Sequence, residues 1–259
     1  MTELPRRESP KGKRVSLFVT CLVDALFPNT GISTVKLLQH AGVDVTFPQT
    51  QTCCGQPGFN AGYWAESRRV ASQFLTAFSD AEVIVAPSGS CVAMIRHEYP
   101  RLFADNPQQL RIAERLSSIT WELTEFLVDG LGITKIEGRF AGKQTFAFHD
   151  SCHGLRLLGL GQAARTLLAS IDNAEILEMD GHDTCCGFGG LFSVKMAGVS
   201  GAMLANKIAQ IQSCRAQVLA GDISCIMHMN GGLTKLDDTT QVKHIADILA
   251  EAINNSASA

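Results

Sequence analysis

Short apolar runs alternate with longer amphipathic stretches along most of the chain. Candidate strands occupy residues 15–20, 43–47, 82–86, 145–149, 175–179 and 217–220, and the clearest helical stretches lie at 63–78 and 194–213. Strands that alternate with helices of this length are typical of parallel βαβ units. The pattern therefore predicts an α/β protein with parallel sheets.

The pattern occurs twice, because cysteines and glycines repeat together with the strands. Cys-Cys-Gly triplets stand at residues 53–55 and 185–187, where composition alone would give about 0.03 such triplets. Matching positions of the two copies are 131 to 134 residues apart throughout. This constant offset indicates a duplicated unit. We expect two pseudo-two-fold-related α/β halves at 15–98 and 141–253, a helical connector at 99–140, and flexible tails at 1–14 and 254–259.

Composition and charge exclude several classes of protein. Of the 259 residues, 46% are hydrophobic and 18% charged, which is typical of a folded globular chain rather than a disordered one. The net charge of −3 lacks the basic footprint that nucleic-acid binding requires. The longest apolar candidate, residues 16–27, is interrupted by Asp24, so no transmembrane segment is expected.

The basic first fourteen residues contain no apolar segment of the kind that export signals carry. We therefore expect a cytoplasmic protein, either free or peripheral to the inner face of the membrane, whose nine cysteines are kept reduced. Nine cysteines in 259 residues are too few for a disulfide scaffold. Metal binding or redox chemistry is the more natural role for them.

Eight of the nine cysteines fall into two matching sets, each drawn from three predicted loops beyond strand ends. The first set is Cys21, Cys53, Cys54 and Cys91, and the second is Cys152, Cys185, Cys186 and Cys225. Four soft thiolates suit an iron–sulfur cluster or zinc. Zinc sites usually contain a local Cys-x₂₋₄-Cys pair, which is missing here, so the spacing favours clusters and leaves zinc as the alternative.

Histidines surround the second set only. His149, His153, His182 and His228 are candidates to donate hydrogen bonds to cluster sulfurs, although residues that cap or turn exposed loops would give the same pattern. The ninth cysteine, Cys214, has no counterpart in the first half and is interpreted as a small apolar residue. The second centre is therefore the better candidate for contact with a partner.

Several stretches resemble the CCG-type cysteine-rich domain of heterodisulfide reductases and of iron–sulfur proteins that serve glycolate oxidation. They include FVTCLVDAL, TCCGQPGFNAGY, APSGSC, DTCCGFGGLFSVKMA and GDISC, and the chain is similar in particular to the lactate-utilisation protein A family. The fuller CCG pattern ends each half in Cys-x-x-Cys. Ser88 and Asp222 replace the first cysteine of that pair, which argues against the five-cysteine cluster of the heterodisulfide reductase branch.

The resemblance implies an iron–sulfur electron-transfer subunit with two [4Fe–4S] clusters in a complex that oxidises L-lactate to pyruvate. The implied partners are a ferredoxin-like iron–sulfur subunit and a third protein, and the subunit would not be active alone. Two alternatives stay open, a cluster-based thiol–disulfide oxidoreductase and a zinc-stabilised interaction protein.

Gly159 and Gly161 resemble part of a dinucleotide-binding fingerprint. They begin ten residues after the strand rather than at its end, so we do not interpret them as a dinucleotide site.

Overall fold

The computed structural model describes residues 7–257 of the chain. The first six residues of the expected N-terminal tail, Arg6 among them, and residues 258–259 of the expected C-terminal tail lie outside the described residues. Arg7 is packed against the first half, with its guanidinium 3.4 Å from the centre of the Trp121 ring and paired with the buried Glu125. The last helix extends through residues 254–257.

Each half contains a four-stranded, fully parallel sheet. The first sheet has the order β2-β1-β3-β4, with β1 (Val15–Leu17), β2 (Val45–Thr46), β3 (Val83–Ala86) and β4 (Thr120–Glu122). The second has the order β6-β5-β7-β8, with β5 (Arg139–His149), β6 (Asp172–Ile176), β7 (Gln217–Ala220) and β8 (Lys243–His244). The identical order confirms the predicted fold of two similar α/β halves.

Thirteen helices connect and cover these strands within the described residues. Before β5 they are α1 (Cys21–Leu26), α2 (Pro28–His40), α3 (Gln56–Asn60), α4 (Trp64–Ala77), α5 (Gly89–Ala93), α6 (Tyr99–Leu102), α7 (Pro107–Ile119) and α8 (Leu123–Glu125). The others are α9 (Ala163–Ala169), α10 (Phe192–Lys195), α11 (Ala197–Ser213), α12 (Ile223–Lys235) and α13 (Ile245–Ala257). Single π-helical turns occur at Met94–Glu98, Phe126–Gly130 and Gly154–Leu158.

The fourth strand of each sheet is the main feature that the sequence pattern does not reveal. β4 lies inside the segment 99–140 that the pattern assigns to a helical connector, and β8 follows the last predicted strand. Each has only two or three residues, too few to show a period of two. They occupy matching places, because Ala86 pairs with Glu122 in the first sheet and Ala220 pairs with His244 in the second.

A large hydrophobic core cluster extends through both halves. It includes Val15 and Val83 of the first sheet together with Phe146 and Leu219 of the second. Helices α2 and α13 pack against each other across the two halves, and Thr30 donates a hydrogen bond to Asp247 at 2.9 Å. The shared core holds the two sheets, and the loops at their ends, in a fixed relation.

Among residues 7–257, no helix combines the length and the hydropathy needed to cross a membrane.

Candidate metal centres

The eight paired cysteines all lie beyond the carboxyl ends of parallel strands. In the first half Cys21 begins α1 after β1, the Cys-Cys-Gly triplet follows β2, and Cys91 is the third residue of α5 after β3. The second half places its cysteines at the same points after β5, β6 and β7. Because the carboxyl ends of parallel strands meet at one edge, the fold brings these distant cysteines together.

The four thiols of the first set lie in two touching pairs. Cys21 Sγ is 3.4 Å from Cys53 Sγ, and Cys54 Sγ is 3.4 Å from Cys91 Sγ. The Gly55 amide also donates to Cys53 Sγ at 3.4 Å. Because Cys53 accepts from Cys21 and Cys54, its pKa falls to about 3, while the donors Cys21 and Cys54 have raised pKa values.

The second set repeats this arrangement. Cys152 donates to Cys185, and Cys186 interacts with both Cys185 and Cys225. The Gly187 amide donates to Cys185 Sγ at 3.4 Å, the same distance as in the first half. The hydrogen bond from Cys152 is the main reason that the pKa of Cys185 falls to about 2, and the pKa values of Cys152 and Cys186 are raised.

All nine cysteines are free thiols, so neither set is joined by disulfides. Four thiolates this close would repel one another unless a cation lay between them. A soft metal centre supplies that charge and prefers sulfur ligands. The clustered cysteines of both sets therefore suit metal binding.

A glycine and a buried serine hold each Cys-Cys-Gly loop in the same way. Gly55 and Gly187 have φ values of +84° and +90°, which only glycine adopts at little cost. Ser67 of α4 donates to the Gly55 carbonyl at 3.1 Å, and Ser200 of α11 donates to the Gly187 carbonyl at 2.8 Å. The sequence pattern did not point to either serine, although they lie 12 and 13 residues after their glycines.

Ser88 and Asp222, which replace a cysteine of the fuller family pattern, have structural roles. Ser88 caps α5 by accepting from the Cys91 amide, and Asp222 caps α12 by accepting from the Ser224 amide. They also meet across the two halves, where Asp222 accepts from the Ser88 hydroxyl at 3.3 Å and from the Ser90 amide at 2.8 Å. These polar contacts fix the two cysteine-bearing helices relative to each other.

A cavity of about 310 Å³ lies beside the first set, between the two halves. All four cysteines of the first set line it. The opposite wall is formed by three parts of the second half: the loop of the second Cys-Cys-Gly triplet, α10 and the start of α12. The two loops also touch directly, since a side chain at Gly190 would lie 3.3 Å from Pro57. The first centre therefore faces the second half across this cavity.

His149, the last residue of β5, is fully buried beside the second set. One of its ring nitrogens and the sulfurs of Cys186 and Cys225 lie within 4.8 Å of one another. Burial, and after it the positive charge of Lys207, lowers the pKa of His149 to about 4, so its ring is neutral near pH 7. Lys207 is itself fully buried and donates to the Gly181 carbonyl at 2.6 Å.

The other three predicted histidines also lie around the second set, but with different partners. His153 Nδ1 is 3.6 Å from Cys152 Sγ, His182 Nδ1 is 2.7 Å from Asp150 Oδ2, and His228 Nε2 is 3.4 Å from Ser200 Oγ. The sequence pattern did not point to Lys207, because a lysine inside an amphipathic helix gives no signal that it is buried.

Cys214 caps the C-terminus of α11 and is half buried against apolar residues of the second half. This is the environment expected of a small apolar side chain.

Comparison with known proteins agrees with the duplicated site. The cysteine-rich domain (CCG) family matches residues 15–96 and again residues 146–230. Lactate utilization protein A of an Exiguobacterium species is 46% identical over 245 residues, covering 93% of this chain and 99% of the relative. The chain belongs to the lactate utilization protein A family of CCG proteins.

Other relatives of this family are similar over nearly their whole length. Lactate utilization protein A of Bacillus subtilis is 43% identical over 237 residues, covering 91% of this chain and 98% of the relative. Lactate utilization protein A 2 of Bacillus cereus is 40% identical over 242 residues, covering 93% and 99%. The family relation therefore extends over both halves and the segment that joins them.

Proposed function

We propose that this protein is an iron–sulfur electron-transfer subunit of a complex that oxidises L-lactate to pyruvate. The observation that carries the proposal is the pair of four-thiol sets, each gathered from three loops and each held by the same glycine and serine. Each set would hold one [4Fe–4S] cluster, with all four of its cysteines as ligands. The names of the relatives support lactate as the substrate of the system.

An electron relay fits the chemistry of lactate better than catalysis by this chain alone. Oxidising a 2-hydroxy acid removes two electrons and two protons, usually through a hydride acceptor such as a flavin or nicotinamide. Thiolate-bound clusters exchange single electrons instead. We therefore propose that a ferredoxin-like iron–sulfur subunit and a third protein complete the complex, in the cytoplasm or against the inner face of the membrane.

The alternative of a disulfide-cleaving oxidoreductase finds less support. A five-cysteine cluster would need a further thiol where Ser88 and Asp222 stand, and both of these residues are committed to helix caps and to each other. Four thiols remain in each half, which is the number that an ordinary cubane cluster requires.

Anaerobic purification followed by iron, sulfide and zinc analysis tests the cofactor directly. We expect iron and sulfide in equal amounts and a visible absorbance that bleaches on reduction. Zinc without iron would replace the proposal with a zinc-stabilised interaction protein. Turnover of a small disulfide by the purified chain would favour the oxidoreductase alternative.

The relay itself is tested by substitution and by reconstitution. The isolated subunit should not reduce an artificial dye with lactate, and a Cys185→Ser strain should lose growth on lactate because a hydroxyl binds iron poorly. Cys214→Ser is the matched control, since this half-buried cysteine belongs to neither set, and its strain should grow normally. Lactate oxidation by the purified subunit without partners would contradict the proposal that this subunit only relays electrons.

A further inference from the structure

The second cysteine set differs from the first by a buried histidine, His149. Only one of its two ring nitrogens has a hydrogen-bond partner within residues 7–257. His149 Nδ1 lies 3.1 Å from the carbonyl oxygen of His182. That carbonyl is fixed in place, because it also accepts from the Asp150 amide at 3.0 Å. A carbonyl oxygen can only accept, so Nδ1 carries the proton and the neutral ring leaves a lone pair on Nε2.

His149 Nε2 is buried and has no hydrogen-bond partner within residues 7–257. A buried nitrogen without a hydrogen-bond partner destabilises the fold, and proteins rarely retain such an atom without a function for it. A ring nitrogen of His149 and the sulfurs of Cys186 and Cys225 lie within 4.8 Å of one another, close enough for the three residues to bind one metal ion. Because Nδ1 is engaged by the His182 carbonyl, Nε2 is the nitrogen that is free to bind it.

The hydrogen bond on the opposite side of the ring matches the same role. Histidines that bind a metal through one nitrogen usually donate the other N–H to a carboxylate or a backbone carbonyl, which fixes both the tautomer and the ring orientation. His149 has this arrangement, with Nδ1 against the His182 carbonyl. The fully buried side chain also has little freedom to rotate away from the thiols.

The first half contains no equivalent nitrogen. Phe18 lies three residues before Cys21, as His149 lies three residues before Cys152, and Phe18 is fully buried in an aromatic cluster. Its ring packs edge-on against Phe74 at 5.0 Å. The two sets therefore offer four donors in the first half and five in the second.

We propose that His149 binds a metal ion of the second centre through Nε2, beside Cys186 and Cys225. This assignment rests on the proposed function, since it requires a metal centre at the second set. It makes the two centres chemically different, because the second centre then has a neutral nitrogen donor in addition to its thiolates, whereas the first has thiolates only.

Spectroscopy on the wild-type holoprotein tests the assignment without any substitution. Protein labelled with ¹⁵N-histidine, purified anaerobically and reduced, should show a strongly coupled histidine nitrogen in pulsed electron paramagnetic resonance. X-ray absorption at the metal edge should show imidazole scattering alongside sulfur, and this second readout applies equally to bound zinc.

Substitutions identify which histidine is responsible. His149→Phe reproduces the first half and should lose the nitrogen coupling while the sulfur scattering remains. His149→Cys should retain the second centre with a lower reduction potential, because a thiolate adds negative charge. His244→Phe is the matched control: His244 is equally buried, but both its ring nitrogens are hydrogen-bonded, to the Pro87 carbonyl and the Ala246 amide. It should leave the coupling unchanged.

The outcomes separate this assignment from the proposed function. A wild-type protein that binds clusters with sulfur ligation only would overturn the histidine assignment and leave the electron relay intact. A nitrogen coupling that persisted in His149→Phe would also overturn it. A wild-type protein that bound neither iron nor zinc would remove the proposed function together with the histidine ligand.

Discussion

The two cysteine sites share their frame and differ in their surroundings. Both use a glycine with positive φ, a buried serine from the following helix and an amide-to-thiol hydrogen bond of 3.4 Å. Next to these shared elements, the first half buries Phe18 and Phe74, whereas the second half buries His149 and Lys207. Phe74 and Lys207 match in position, since each lies seven residues after its serine.

This difference separates what holds the thiols from what tunes them. The positions of the thiols depend on backbone geometry, so both copies retain the loop and its serine. The neighbouring side chains set the charge and polarity around a bound centre, and these can change without moving the thiols. The duplicated unit thus provides two sites of one shape with different electrostatic environments.

The largest expected effect comes from removing one thiolate in each half. If the two centres are independent, Cys54→Ser and Cys186→Ser should each reduce the bound iron and sulfide to about half, because a hydroxyl is a poor iron ligand. Metal analysis of anaerobically purified variants measures this. Complete loss of iron in either variant would mean that the centres assemble as one unit.

The triplet glycines should tolerate a side chain unequally. Gly55→Ala should cost about 1–2 kcal/mol of unfolding free energy, mainly from positive φ. Gly187→Ala should cost roughly 2–5 kcal/mol, because its Cβ would lie 2.8 Å from the Ser200 carbonyl, against 3.3 Å from Ser67 in the first half. Urea unfolding measures both, with Gly42→Ala as control, since Gly42 has a φ of +73° in open space. Equal costs would contradict the difference in packing.

The fourth strands end in buried titratable side chains, Glu122 in the first half and His244 in the second. Burial raises the pKa of Glu122 from 4.5 to about 7. The folded state therefore keeps a proton that the unfolded chain releases, and stability should fall by up to roughly 3 kcal/mol as pH rises from about 4.5 to 7. Glu122→Gln should remove that slope in urea unfolding at several pH values. An unchanged slope would assign it to other groups.

The buried lysine should affect the second centre alone. Lys207→Met removes a positive charge near Cys185, Cys186 and Cys225, whose thiolates interact with it. At an effective dielectric constant near 20, the loss is on the order of 1–2 kcal/mol, which lowers a one-electron reduction potential by roughly 40–90 mV. Potentiometric titration measures this, with the first centre as internal reference. A shift common to both centres would show that the change is not local.

Removing the serine that supports each triplet should have the smallest effect on stability, and the effect should be nearly equal in the two halves. Ser67→Ala and Ser200→Ala each remove one buried hydrogen bond to a triplet carbonyl and should each cost about 1–2 kcal/mol of unfolding free energy. Ser118→Ala, at an exposed position, should cost less than about 0.5 kcal/mol. A clear difference between Ser67 and Ser200 would mean that the frame has diverged along with its surroundings.

The sequence by itself determined the duplication, the parallel α/β fold and the grouping of eight cysteines into two sets. These features are repeated along the chain, and a sequence repeat can be recognised without knowing which residues are in contact. Histidines around the second set could also be identified, because they are neighbours of cysteines along the chain.

Only the tertiary structure decided which of these residues face a thiol and which belong to the supporting frame. His149 and His153 are both close to Cys152 in sequence, yet only His149 is fully buried with a ring nitrogen close to both Cys186 and Cys225. Ser67, Ser200 and Lys207 act through helices that pack on the triplets, and β4 and β8 are two or three residues long. Burial and long-range packing create these roles, and neither can be inferred from the local sequence pattern.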